Sequence, residues 1–123
     1  MLLSSLHASP ESGAAGVATL RQRDARYSAL VASNDDMAIG AMKQLHQQGV
    51  RIPEQVSVIG FDDIVLAPYM VPALSSVKIP VTEMIKESIN RLIFMLDGGD
   101  LKYQQTFPGE LLERDSIAPG PFA

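Results

Sequence analysis

Apolar residues recur along this chain with two periods, and the switches between them give the order of elements. The stretch SPESGAAGVATLRQRDA, from Ser9, reads as a helix. Ser9 suits the N-cap, Pro10 the first helical position, and Glu11 the positive end of the helix dipole. Gly13 and Gly16 lower helix propensity and point to a close contact on their side. YSALVAS (27–33) is a short apolar run of strand character. NDDMAIGAMKQLHQQG follows, with Asn34 or Asp35 as cap, acids in the first turn and Gly49 as the stop. Met37, Ala41 and Leu45 recur at every fourth position, and Ala38 and Met42 widen the stripe, so this helix packs on something. RIPEQ turns the chain, and VSVIGF (56–61) is a second strand.

Strand, helix and strand in about 35 residues make a βαβ unit, which is parallel with a right-handed crossover. IVLAPYMVPA (64–73) is a loop or short helix closed by Pro72, and LSSVKI (74–79) is a third strand. Pro80 opens a long helix, VTEMIKESINRLIFMLDGG, whose stripe of Met84, Ile85, Ile89, Leu92, Ile93 and Leu96 is expected to be buried and which Gly98 and Gly99 end. YQQTFPGELLERDS reads as two short extended pieces around Pro108 and Gly109, and the tail IAPGPFA as frayed. The pattern predicts an α/β fold: a parallel sheet with flanking helices.

In such a sheet, ligands bind beyond the carboxyl ends of the strands. Ser33-Asn34-Asp35 ends the first strand and Asp62-Asp63 ends the second. One crossover puts both ends on the same edge, so Asn34 and Asp62 can converge. A carboxylate only accepts hydrogen bonds, whereas an asparagine amide donates and accepts. Together they suit a polyol, whose neighbouring hydroxyls can both donate to one carboxylate. The plainer reading is that these residues cap a helix and a turn. A rival from another class makes Asp62 and Asp63 a metal-holding pair in a small enzyme or a phospho-receiver-like domain. That chemistry wants a third player. His7 lies near the start and His46 on a helix that already has an apolar face, and no Gly-rich phosphate loop or metal-binding helix motif is present. Lys78 and Lys86 read as solvated. Neither a metal nor a cofactor is expected.

Composition narrows the classes further. The 123 residues suffice for one core, and 46% apolar with 20% charged residues is globular. A net charge of -4 gives no basic footprint for nucleic acid. The chain has no cysteine, which fits the cytoplasm. MLLSSLHASP lacks the basic start and full apolar region of a signal peptide, and no apolar run reaches membrane-spanning length. Ile39 off the main helix stripe, together with Met42, Tyr69 and Met70, is expected to form a dimer face.

The combination SNDDMAIGAM, then PEQVSVIGFDD, then P-x-L-SSV, then LLERDS, in this order and spacing, resembles the C-terminal half of the effector-binding core of LacI/GalR-type transcriptional repressors. The resemblance runs from about Ser9 to Ser116. It implies one partial lobe of a periplasmic-binding-protein-like type I fold, in which two lobes close over a small molecule, often a sugar or glucoside. It implies that Asn34 and Asp62 contact that effector, with Ile79 and Val81 near the pocket and Asp63 positioning the turn. Residues 1–123 then form the C-terminal part of the core, with 79–105 crossing to an N-terminal lobe. Family members bind an operator as dimers through a helix-turn-helix domain, which is not read in this sequence, so DNA contact would lie outside it. Family members tend to carry an arginine and a Gly-Asp-Trp-like segment before the first helix. LHASPESG replaces them here, with no arginine before Arg21, so part of the sugar site is expected to be altered.

Overall fold

The computed structural model describes residues 7–100 and 104–120. The expectations for the first six residues, for Tyr103 and for the last three residues lie outside that range. The elements run α1 (Pro10–Gln22), β1 (Ala29–Val31), α2 (Asp35–Gln47), β2 (Ser57–Ile59), a single 3-10 turn at Ala67–Tyr69, β3 (Ser76–Lys78), α3 (Val81–Leu96) and β4 (Glu110–Leu112). The first three strands are shorter than their apolar runs.

The cap chemistry places the helices. Ser9 accepts from the Ser12 amide at the start of α1, with Pro10 in the first turn. Asn34 caps α2 by accepting from the Met37 amide at 2.9 Å. Gly49, at φ +76, ends α2, and the Val50 amide reaches back to the Leu45 carbonyl at 3.0 Å. That is the left-handed stop for which glycine is suited. α1 and α2 touch backbone to backbone. A methyl group at Gly13 would overlap the Met37 carbonyl, and one at Gly40 would overlap the Pro10 carbonyl. The contact expected at Gly13 is therefore real, and it is made to α2.

β1 and β2 pair in parallel, with Leu30 opposite Val58. On the far side of β2, a parallel bridge joins Ile59 to Ser75, and the Gly60 and Asp62 amides donate to the Ser75 and Val77 carbonyls at 3.0 and 2.9 Å. β2 is thus the centre of the arrangement. β4 pairs antiparallel with β3, so the expected all-parallel sheet gains an antiparallel member. This follows from the chain returning beside β3 after α3. Farther along, the Ser57 hydroxyl accepts from the Ala118 amide at 3.1 Å, so this part of the tail is tied down and not frayed.

The core is small and sits between α1, α2 and the strands. Val17, Ala38, Ala41, Met42, Leu45, Val56, Val58 and Leu74 are its main buried side chains. The stripe of α3 is a correction to the sequence reading, because no residue of α3 is buried. Ile85, Ile89, Leu92, Ile93 and Leu96 are all more than half exposed. The helical period was read correctly, but nothing in the described chain lies against that face.

Candidate functional site at the carboxyl ends of the strands

Asn34 and Asp62 stand at one edge of the sheet. The Asp35 amide donates to the Phe61 carbonyl at 2.9 Å, so the start of α2 is bonded directly to the end of β2. Each proposed ligand contact is one residue from that bond. The Asn34 amide is half committed: its oxygen caps α2 and its nitrogen donates to the Ala8 carbonyl at 3.4 Å. The oxygen has a second lone pair and the nitrogen a second proton, so capping does not exhaust the side chain.

Asp62 is exposed. Among the described residues its carboxylate has no hydrogen-bond or ion-pair partner. Its backbone lies at φ 103 and that of Asp63 at φ 53. Two consecutive non-glycine residues at positive φ are costly and persist only where the surroundings over-determine them.

Those surroundings are explicit. Asp63 accepts from the Arg114 guanidinium at 2.7 Å, and Arg114 also donates to the Leu74 carbonyl at 2.7 Å. The Asp63 amide donates to the Ser76 hydroxyl oxygen at 3.0 Å. Ser76 in turn donates to Asp35 Oδ1 at 2.7 Å, and Asp35 Oδ2 accepts from the Ile64 amide at 2.9 Å. Asp35 and Ser76 are fully buried. Asp63 thus positions the turn, as the sequence suggested, and it does so through an ion pair. That pairing also removes the symmetry on which a twin-carboxylate metal site would rest. Among the described residues, no cluster of three or more histidine and carboxylate side chains could hold a metal ion.

Sequence reasoning missed Asp35, Ser76 and Arg114. Asp35 already had a sufficient explanation as an acid in the first turn of a helix. Arg114 lies 51 residues from Asp63, so no local pattern connects them.

Ile79 and Val81 are brought together in a shallow hollow of about 490 Å³ along α3, with Met84, Ile85, Ile89 and Leu92. That hollow does not include Asn34 or Asp62. A second hollow of about 830 Å³ lies on another face and is lined by Ile39, Met42, His46, Ile52, Met70 and Val71 among others. It gathers three of the four residues assigned to a dimer face. Met42, at 4% exposure, belongs to the core and lines the hollow from below. Tyr69 is not among the residues lining the hollow and is 78% exposed.

Known proteins share this arrangement. A periplasmic-binding-protein-like domain family matches residues 4–117. The chain is 73% identical over 111 residues to the HTH-type transcriptional regulator AscG of Escherichia coli, covering 89% of this chain and 33% of that protein. It is 33% identical over 106 residues to a lactose operon repressor of Rhizobium radiobacter, covering 86% of this chain and 94% of that one. Among solved structures, the E. coli repressor ascG superposes with a TM-score of 0.77 at 71% identity, over 89% of this chain and 40% of that one. The lac repressor dimer bound to operator and an anti-inducer superposes with a TM-score of 0.84 at 27% identity, over 90% of this chain and 39% of that one. The chain spans about a third of the length of AscG. With this sequence, this fold and these relatives, the chain belongs to the periplasmic-binding-protein-like domain family, among the LacI-type transcriptional regulators.

Proposed function

We propose that this chain is the effector-sensing part of a sugar-responsive LacI-type repressor, and that Asn34 and Asp62 recognise hydroxyl groups of a sugar or glucoside. One observation carries the reading. The Asp35–Phe61 backbone bond joins the two strand-end segments, while the exposed Asp62 carboxylate is left without a partner among the described residues. An acceptor held in a costly conformation and aimed at no protein group suits a ligand that brings donors.

On this reading the protein works by binding and not by catalysis. Ile79 and Val81 supply an apolar wall, and the segment 79–105 crosses to a second lobe that closes over the sugar. Ile39, Tyr69 and Met70 face a second copy of the chain, with Met42 behind them. The homodimer is supported by the dimeric lac repressor among the structural relatives. Operator contact belongs to the helix-turn-helix part of a longer regulator, acting in the cytoplasm where the DNA is. No helix among the described residues is long and apolar enough to cross a membrane.

Thermal melts with a panel of hexoses and β-glucosides test the proposal. A ligand that binds only the native state stabilises it by about 2.7 kcal/mol at a hundredfold excess over Kd. A shift with one sugar class and none with Mg²⁺ is expected. A shift with Mg²⁺ and with no sugar would instead favour the metal-dependent reading of Asp62 and Asp63.

A further inference from the structure

The turn Phe61–Ile64 is anchored at each of its residues, and one buried carboxylate stands behind two of the four anchors, those of Asp63 and Ile64. The Phe61 carbonyl is held by the Asp35 amide, and the Ile64 amide by Asp35 Oδ2. The Asp63 amide is held by Ser76, whose hydroxyl in turn donates a hydrogen bond to Asp35 Oδ1. The Asp62 amide is held by the Val77 carbonyl. The amides of Asp62, Asp63 and Ile64 are all held, whereas the Asp62 side chain has no partner among the described residues. Asp35 is fully buried, and even a methyl group at Gly60 would run into its carboxylate.

We propose that Asp35 is a positioning residue for effector recognition: its buried carboxylate holds the turn in the conformation that presents Asp62 to the ligand. This rests on the sugar-site reading given above. On this proposal Asp35 touches no ligand, and its carboxylate acts through the Ile64 amide directly and the Asp63 amide by way of Ser76. An asparagine keeps the shape of Asp35 but turns one acceptor oxygen into a donor. If the new amide faces Ile64, two donors oppose each other. If it faces Ser76, the serine proton loses its acceptor.

The test uses Asp35→Asn, Asp62→Asn and the double variant, with D-glucose and phenyl β-D-glucopyranoside as ligands. Hydrogen exchange gives a readout that needs no ligand. In Asp35→Asn the amides of Asp63 and Ile64 should exchange at least about tenfold faster while those of Ala41–Leu45 keep their protection. By calorimetric titration, Asp35→Asn should weaken sugar binding about tenfold or more, and the double variant should bind no worse than Asp62→Asn alone, because coupled residues are non-additive. Unchanged exchange at the turn, or protection lost uniformly across the domain, overturns the positioning role. So does a double variant whose losses simply add. A wild-type chain that binds neither sugar, or Asp62→Asn binding as wild type, overturns the sugar-site reading itself and the positioning role with it.

Discussion

Ser76 shows how much can depend on one small side chain. Its hydroxyl donates to Asp35 and accepts from the Asp63 amide, and it is fully buried. Removing it leaves a buried carboxylate oxygen and a backbone amide without their partner, so Ser76→Ala should destabilise the fold by about 1–3 kcal/mol in urea unfolding. Arg114→Ala strips Asp63 of its ion pair, whose side chains are 19% and 16% exposed, and the loss should also appear as faster exchange at the turn. Glu11 gives a pH signature. Its carboxyl is held below the usual glutamate value of 4.5 first by its own backbone amide and then by Ser9, which outweigh the opposing effect of desolvation, with a lesser contribution from Lys43. A depressed folded-state pKa contributes stability above the unfolded value and loses it as pH falls through the folded one. Glu11→Gln should therefore lower stability at neutral pH, leave it unchanged below the folded-state pKa, and so flatten the acid limb of the stability profile. The shared position of Asn34 and Asp62 was legible in the sequence, because residues at the ends of two strands in one βαβ unit lie at one edge. Asp35 and Arg114 were not, since their partners are fixed by tertiary pairing between distant segments.

At the scale of elements, the helices were more legible than their surroundings. Caps and stops fixed the start of α1 and both ends of α2 to within a residue or two, because Ser9, Asn34 and Gly49 act through the local backbone. The antiparallel return of β4 and the tie at Ala118 were not visible, because strand pairing is a property of two segments together. Two contrasts follow. A glycine inside a helix usually gains up to about 1 kcal/mol when changed to alanine. Gly13→Ala should reverse that sign and cost about 1–3 kcal/mol or more, since the methyl group has only the Met37 backbone to enter. The second contrast separates the two apolar stripes. Leu45 is 1% exposed and Leu92 is 53% exposed. Leu45→Ala should cost about 2–5 kcal/mol, whereas Leu92→Ala should stay within about 0.5 kcal/mol for this chain. Equal costs in chemical denaturation would place α3 against a surface that the present fold does not contain.

At the scale of the whole molecule, a small core under β2 holds a polar edge in a defined shape, while the apolar face of α3 and the hollow around Ile39 and Met70 stay on the surface. The core and the polar edge meet at Asp35, which belongs to the core by burial and to the edge by its hydrogen bonds. On the proposed function, this edge presents Asp62 to hydroxyl donors. Calorimetric titration of β-glucosides and hexoses into the wild-type chain and Asp62→Asn tests it most directly. The account predicts saturable binding of a sugar by the wild type, and a loss of at least about tenfold in Asp62→Asn, equivalent to about 1.4 kcal/mol. The unfolding midpoint without ligand should hardly change, since asparagine tolerates the positive φ at that position. A sugar bound equally well by both proteins would contradict it.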